Sequence, residues 1–190
     1  MRISQITILC ITGLFVSCGT SVSPPTDDEM IQHFYAHESA FNQIKELVSM
    51  RPNSSYYPPY HPNDTTCLAG ISIPTQQALD SLLREIKCKR IFYAVKTGRQ
   101  EYEKEMPEVE LCVQYFVSGY SVGGTTKEFV YSTTVGKQFE VIENRELNSI
   151  YQEQYNDTIL YKSINGNWFI RLIYAVSYTH LRAHETGRNL

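Results

Sequence analysis

The chain has 190 residues, of which 42% are hydrophobic, and its formal net charge is −3 at pH 7. This length and composition give room for one domain with a hydrophobic core of its own. The charge provides no basic surface for a phosphate backbone, so we expect no nucleic-acid partner.

The first 17 residues have the pattern of a secretory signal. Arg2 gives a basic start, and residues 6–16 form an apolar run that is too short to span a bilayer. Cys18 closes the sequence Phe-Val-Ser-Cys, which resembles the bacterial lipobox. The resemblance implies that residues 1–17 are a lipoprotein signal peptide and that a palmitate-type lipid on Cys18 anchors the protein in a membrane. Gly19 stands where an aspartate would retain a lipoprotein in the inner membrane, which implies the outer membrane of the cell envelope and leaves its leaflet open.

The end of the chain resembles a translated DNA sequencing adapter. Read in one frame, the transposase library adapter encodes Val-Ser-Tyr-Thr-His-Leu-Arg-Ala-His-Glu-Thr, which is identical to residues 176–186. We therefore expect residues 175–190 to be an artefact. This interpretation removes His180 and His184 from functional consideration, although their spacing beside Glu185 is typical of half a helical zinc site.

Two helices are predicted at the start of the domain. Residues 26–29 read Thr-Asp-Asp-Glu, which matches a capping box. Apolar residues at helical spacing then predict one helix to about Met50, which Pro52 ends. The second helix is predicted to begin near Pro74. The stretch 51–66 between the two is rich in proline, asparagine and tyrosine and is predicted to be a loop.

Beyond Lys89 the apolar pattern becomes that of strands. The predicted elements are strands at 91–95, 109–117 and 128–133, a glycine-rich turn at 118–124, a short helix at 145–153, and a hairpin of 159–164 and 168–174 that turns at Asn165-Gly166. We therefore predict an α+β domain over 26–174, after a tether at 18–25. Its two N-terminal helices precede a mainly antiparallel sheet with one short inserted helix and a C-terminal hairpin.

Three cysteines remain after Cys10 leaves with the signal and Cys18 is lipidated. Cys67, Cys88 and Cys112 would lie in an oxidising compartment, where one disulfide and one free thiol are expected. The sequence leaves all three pairings open. Alternatively, Cys88 and Cys112 are buried packing residues, because both lie in or beside apolar segments.

His33 and His37 are the candidate metal ligands. They lie four residues apart on the first predicted helix, a spacing that allows two imidazoles to chelate one ion. A third ligand would have to come from His61 or Asp64. Since no second spaced pair exists, the alternative is that both histidines are surface or interface residues of an amphipathic helix. We expect no metal or cofactor.

The sequence lacks a recognisable catalytic constellation. The glycine-rich stretch 119–126 has Thr125 where a phosphate loop requires lysine, and a strand is predicted to follow it instead of a helix. No nucleophile elbow is present among the serines. We therefore predict that the protein is not an enzyme.

Tyr56, Tyr57 and Tyr60 are the best candidates for ligand binding. They lie among Pro58, Pro59 and other prolines that stiffen the loop, so they could present flat amphipathic rings to a glycan or a protein. The alternative is that these rings pack over the helices and complete the core.

As a whole, the chain resembles small lipoproteins of unknown function from gut-type Gram-negative bacteria. The shared features are a short signal, Cys18, a helical start and a terminal hairpin at 161–170. The resemblance transfers no site residues. It favours an envelope-anchored binding or interaction domain. The alternatives are an inhibitor or immunity-type protein that blocks a partner enzyme, and a metal-assisted enzyme that uses His33 and His37.

Overall fold

The structure is a computed structural model that describes residues 23–50, 55–94, 109–120, 123–153 and 156–175. These residues form five α-helices, which are α1 Asp27–Ala36, α2 Glu38–Ser49, α3 Ile73–Glu85, α4 Val135–Gln138 and α5 Leu147–Gln152. A 3-10 turn spans Thr66–Leu68. The six strands are β1 Ser55–Tyr57, β2 Arg90–Tyr93, β3 Val109–Tyr120, β4 Gly123–Ser132, β5 Thr158–Asn165 and β6 Trp168–Ala175.

The strands form one sheet in the order β1-β2-β3-β4-β6-β5, and every neighbouring pair is antiparallel. Helices come first in the chain, and a C-terminal hairpin closes it, with short helices between β4 and β5. The predicted α+β class and order of elements are therefore confirmed.

The helical start follows from a local signal. The Thr26 side chain accepts a hydrogen bond from the Glu29 N–H at 3.2 Å, and the Glu29 carboxylate accepts from the Thr26 N–H at 2.7 Å. This reciprocal pair satisfies two backbone donors that the first turn leaves without helical partners. The capping box is confirmed.

The prediction of one continuous helix to Met50 is wrong. His37 separates α1 from α2 with φ −129° and ψ 20°, and its N–H bonds to Phe34 O. Neither proline nor glycine marks this break. It coincides with a tertiary contact, since His33 Nε2 lies 2.7 Å from Ile86 O at the end of α3. The chain therefore changes direction between α1 and α2 where it packs against α3, and not at a helix-breaking residue.

The main core lies between the first three helices and one face of the sheet. An aromatic cluster from α1, α2, β4 and β6 occupies its centre, with ring centroids 4.7 Å apart for Phe41 and Phe129 and 5.3 Å apart for Phe34 and Trp168. The three phenylalanines are fully buried. Truncating one such ring to alanine costs about 3–5 kcal/mol in a typical core.

The connection from β4 to β5 passes from one face of the sheet to the other. Val135 of α4 packs with Tyr161 and Phe169 in a small second cluster on the face away from the first three helices. The Ile142 N–H then donates to Tyr161 O at 2.8 Å, along the outer edge of β5. Leu147 of α5 is buried in the main core. The sequence predicted α5 but not α4.

Two turn predictions need correction. Strand β1 lies inside the predicted loop 51–66, because Tyr57 pairs with Ile91 of β2. In the C-terminal hairpin, Asn165 is the last residue of β5 and lies opposite Trp168, so the turn is Gly166-Asn167. Gly166 has φ +58°, which a two-residue hairpin requires at its first central position.

The predicted glycine-rich turn at 118–124 is largely strand. Ser118 pairs with Thr125 and Gly119 with Gly124, so β3 and β4 continue their ladder through this stretch. Glycine allows this close pairing, because a Cβ on Gly124 would lie 2.2 Å from Ser118 O. The hairpin is therefore longer and tighter than the sequence indicated.

The expected disulfide is not formed. Cys67, Cys88 and Cys112 are all free and buried. Each lies in a different part of the domain: Cys67 in the 3-10 turn, Cys88 after α3, and Cys112 beside Arg171 on the far face of the sheet. Burial raises the pKa of all three thiols, that of Cys112 to about 12. The alternative of buried packing residues is thus confirmed for Cys88 and Cys112.

Over the ranges that the structure describes, none of the helices combines the length and the apolar character needed to cross a bilayer.

Candidate functional site

Tyr56 and Tyr57 lie on opposite faces of the sheet, as neighbouring residues of a strand must. Tyr57 points toward α3 and is only 3% exposed. Its hydroxyl donates to Asp80 Oδ1 at 2.7 Å and lies 3.2 Å from Gln76 O. Burial, together with the Asp80 carboxylate, raises the pKa of Tyr57 well above its usual range. Tyr57 is therefore part of the core.

Tyr56 faces the other side and is half-buried. It is opposite Phe92 of β2, with ring centroids 6.3 Å apart, and its ring lies 5.1 Å from that of Tyr60. The Tyr56 hydroxyl donates to Asp64 Oδ2, and Thr66 Oγ1 donates to Asp64 Oδ1 at 2.8 Å. The hydrogen bond between Tyr56 and Asp64 raises the pKa of Tyr56 and lowers that of Asp64. The Asp64 carboxylate therefore links Tyr56 of β1 to Thr66 at the start of the 3-10 turn.

Tyr60 is 52% exposed. The guanidinium of Arg90 covers one face of its ring, with Cζ 3.4 Å from the centroid. Arg90 also donates from Nε to Pro58 O at 3.2 Å and from Nη2 to Pro59 O at 3.4 Å. A cation over an aromatic ring is attracted by the ring's negative face. Arg90 therefore fixes the loop backbone and the ring of Tyr60 at once.

We call the group of Tyr56, Tyr60, Arg90 and Phe92 the tyrosine face. Two of its members, Tyr56 and Tyr60, were candidates from the sequence, whereas the structure assigns the third candidate, Tyr57, to the core. Sequence reasoning missed Arg90, which comes 30 residues after Tyr60. Only the pairing of β1 with β2 brings it to the loop, and that pairing could not be read from a segment predicted to be a loop.

His33 and His37 lie together, with ring centroids 4.7 Å apart. His33 Nε2 is engaged by Ile86 O at 2.7 Å, and His37 Nδ1 lies 3.9 Å from Glu85 Oε1. Burial lowers the pKa of His33, and the neighbouring His37 and Lys87 add to this effect. In the described part of the chain, no three His, Cys, Asp or Glu side chains are grouped so that they could hold a metal ion. Asp64 is held by Tyr56 on the opposite side of the sheet.

A buried ion network lies where the chain enters the domain. Asp27 and Lys127 are both 0% exposed, with Oδ1 and Nζ 2.7 Å apart. Lys127 Nζ also donates to Pro25 O at 2.7 Å and to Glu146 Oε1 at 3.4 Å. The other Asp27 oxygen accepts from the Leu147 N–H at 2.8 Å and lies 3.3 Å from Lys162 Nζ. These bonds compensate both buried charges, so the network holds elements together.

A second polar cluster lies on the far face of the sheet. Arg171 Nε donates to Glu128 Oε2 at 2.9 Å, and Arg171 Nη2 lies 3.0 Å from Cys112 Sγ. Glu128 and Arg171 are directly opposite each other on β4 and β6. Opposite charges at paired positions stabilise a sheet, which accounts for this pair structurally.

Three sequence predictions lie outside the described residues. They are the lipidation site Cys18, the signal peptide 1–17, and the adapter-like stretch apart from Ala175. Ala175 itself is the last residue of β6 and pairs with Gly124. Pro24 and Pro25, the last residues of the predicted tether, contact the domain through the Asn148 side-chain amide at 3.1 and 3.0 Å.

Comparison with known proteins identifies the family but no function. A family model described as "Domain of unknown function (DUF4948)" matches residues 23–69 and 63–176. No curated protein and no solved structure matches the chain. The two matched stretches together include every element of the sheet and the whole tyrosine face. The chain therefore belongs to the DUF4948 family.

Proposed function

We propose that the protein is a non-enzymatic recognition domain that a lipid on Cys18 holds at the outer membrane of the bacterial cell envelope. Its ligand binds at the tyrosine face. The observation that carries this proposal is the exposed ring of Tyr60, which stands on a loop held by internal hydrogen bonds.

The loop is fixed before any ligand arrives. Arg90 holds the carbonyls of Pro58 and Pro59, and Asp64 holds the hydroxyls of Tyr56 and Thr66. A pre-organised surface loses little conformational freedom on binding, so more of the contact energy becomes affinity. Tyrosine and arginine are also the residues that contribute most to binding in protein recognition sites.

The position of the tyrosine face suits an anchored receptor. The tether meets the domain at Pro25, beside Lys127 of β4, on the face of the sheet that the helices cover. Tyr56 lies on the other face, at the β1 edge, three strands away. Three strand spacings amount to about 14 Å. The tyrosine face therefore points away from the point of attachment.

The buried polar clusters of the described residues have structural partners. Lys127 Nζ has three oxygen acceptors, and Arg171 is paired with Glu128. Burial raises the pKa of the Cys112 thiol to about 12, which keeps it protonated and a poor nucleophile at neutral pH. Each cluster is thus accounted for by the fold.

The anchor is tested by replacing Cys18 with alanine. We expect the wild-type protein to fractionate with membranes and to incorporate labelled palmitate, because the thiol of Cys18 is the proposed acylation site. The Cys18→Ala variant should lose the label and appear in the soluble fraction. As a control, Cys10→Ala should keep the label. Full membrane retention of Cys18→Ala would overturn the anchor.

The binding surface is tested by replacing Tyr60. The purified protein in detergent is immobilised and exposed to solubilised envelope material, and the retained mass is measured. We expect Tyr60→Ala to lose retention, because the exposed ring provides contact area to the ligand. Tyr35→Ala is the matched control, since Tyr35 is 51% exposed and lies on α1. Equal retention by Tyr60→Ala and wild type would contradict the proposal.

Stability measurements separate binding from folding. Tyr57→Ala should lower the free energy of unfolding by about 3–5 kcal/mol, as expected for a buried ring. Tyr60→Ala should change it far less, because half of its ring is already in water. A comparable loss of stability in the two variants would show that Tyr60 is a structural residue.

A further inference from the structure

We infer that the ligand of the tyrosine face is a neutral saccharide, one ring of which stacks on the exposed part of Tyr60. This inference rests on the proposed function and names the class of ligand. Three features carry it: the small exposed apolar area, the polar residues of the same loop, and the lack of spare positive charge among the described residues of the tyrosine face.

The exposed apolar part of the surface is small. Among the described residues, Tyr60 is the one large exposed hydrophobic side chain in the loop, and the others are Tyr35, Met50, Ile73, Val117 and Ile159. The core of a protein–protein interface is a contiguous apolar patch within at least about 1,000 Å² of buried surface. The tyrosine face, in which Tyr56 and Phe92 are half-buried beside Tyr60, is too small for such a core, and its most exposed ring matches the size of one sugar ring.

Exposed hydrogen-bonding groups follow Tyr60 in the same loop. His61, Asn63, Thr65 and Thr66 are all exposed in the same loop. Their imidazole, amide and hydroxyl groups offer both donors and acceptors to hydroxyl groups of a sugar. Small-molecule sites combine an apolar or aromatic contact with a few polar groups that set orientation. The loop has this composition.

Charge argues against an acidic ligand. The sequence has no lysine or arginine from residue 52 to residue 83. Arg90 is the cation at the tyrosine face, and its guanidinium already contacts Pro58 O, Pro59 O and the ring of Tyr60. A sulfated or phosphorylated polymer requires several cations that are free to pair with it. The tyrosine face, as far as the structure describes it, is therefore suited to a neutral molecule.

The geometry also shows where the sugar stacks. Arg90 covers one face of the Tyr60 ring and the Tyr56 ring lies 5.1 Å away, so a ligand would stack on the part of the Tyr60 side chain that stays exposed. The negative face of an aromatic ring attracts the weakly positive C–H groups of a sugar.

The test uses the full chain in detergent. A printed array of neutral and acidic glycans is probed first, and affinities are then measured by gel retardation with dextran, pullulan, laminarin and galactomannan. Dextran sulfate and casein serve as the anionic and protein probes. We expect binding to at least one neutral glycan and weaker binding to dextran sulfate.

Variants of Tyr60 assign the contact. Tyr60→Ala should weaken binding of the neutral glycan about ten-fold, as loss of one stacking ring implies. Tyr60→Trp should preserve or strengthen binding, because the indole offers a larger face. Tyr35→Ala should bind as wild type does. Melting curves of each variant confirm that the loss does not arise from unfolding.

The outcomes separate the ligand class from the proposed function. One outcome is Tyr60-dependent capture of envelope material that survives periodate oxidation and is lost after protease treatment. That result would overturn the saccharide as the ligand and leave the proposed recognition function standing. Capture that is lost after periodate and survives protease supports the saccharide. Absence of any Tyr60-dependent binding, to the array, the polysaccharides or the envelope material, would overturn both.

Discussion

At the scale of single residues, the imidazole of His33 lies in a partly buried environment that disfavours its protonated form. It lies between the rings of His37 and Tyr115, at centroid distances of 4.7 and 4.9 Å, and bonds to Ile86 O. Partial burial lowers its pKa below the ordinary value of 6.5, and nearby His37 and Lys87 oppose a further positive charge.

His33 should therefore make the fold less stable in mild acid. A histidine whose pKa is lower in the folded state binds protons more weakly when folded than when unfolded. Its protonation therefore costs no folding stability above about pH 7, and the cost grows as the pH falls below 6.5. We expect His33→Gln to show a shallower fall in melting temperature than wild type between about pH 7 and pH 5. His61→Gln, which changes an exposed histidine, is the control and should follow wild type. Parallel curves for His33→Gln and wild type would contradict this assignment.

The candidate site could be predicted in part because it depends on both local and distant residues. The clustering of tyrosine and proline singled out Tyr56 and Tyr60, which is a local property of the loop. The separation of Tyr57 from them follows from strand alternation, once β1 is known to be a strand. Arg90 enters the site through the register of β1 and β2, which no local pattern contains.

At the scale of elements, the β3–β4 hairpin depends on close backbone approach. Gly124 lies where a Cβ would meet Ser118 O at 2.2 Å, whereas a Cβ on Gly136 of α4 would meet nothing within 4 Å. We expect Gly124→Ala to lower the free energy of unfolding by about 1–3 kcal/mol, the range for forced overpacking. Gly136→Ala should leave it unchanged or raise it by up to about 1 kcal/mol, because alanine favours helix. Chemical denaturation of both variants measures the difference. Similar effects of the two substitutions would contradict the steric explanation.

Elements with local signals were predictable, and those set by packing were not. The start of α1 carries a capping box, and the terminal hairpin carries alternating apolar residues around a glycine. The break at His37 has no local breaker and coincides with the contact of His33 with Ile86. Helix α4 is a single short turn whose Val135 is held by Tyr161 and Phe169. Such features depend on neighbours that lie far away in the sequence.

At the scale of the whole molecule, the buried ion network joins the two ends of the fold. Asp27 begins α1, Lys127 lies in β4, Lys162 in β5, and Leu147 begins α5. The Asp27 carboxylate contacts all three of these partners. A buried charge that loses its partner remains desolvated, so each member depends on the others.

Removing one member of this network should be costly. We expect Asp27→Asn and Lys127→Met each to lower the free energy of unfolding by about 3–5 kcal/mol, because each takes from a fully buried ion its closest opposite charge. The double variant should lose less than the sum, as interacting residues do. Arg145→Ala is the control: its ion pair with Glu153 is more than half exposed on both sides, so it should cost at most about 1 kcal/mol. Additive losses in the double variant would show that the pair is not coupled.

The contact of Lys127 with Pro25 O also has a mechanical consequence. On the proposed anchor, any force between membrane and ligand enters the domain through the chain at Pro25. Lys127 and Asn148 hold the carbonyl of Pro25, and Lys127 belongs to β4, an inner strand of the sheet. A pull on the lipid would therefore load the middle of the sheet through the hydrogen bond from the buried Lys127 ammonium to Pro25 O before it could detach α1. When single molecules are stretched through Cys18, the Lys127→Met variant should unfold at a lower force than wild type.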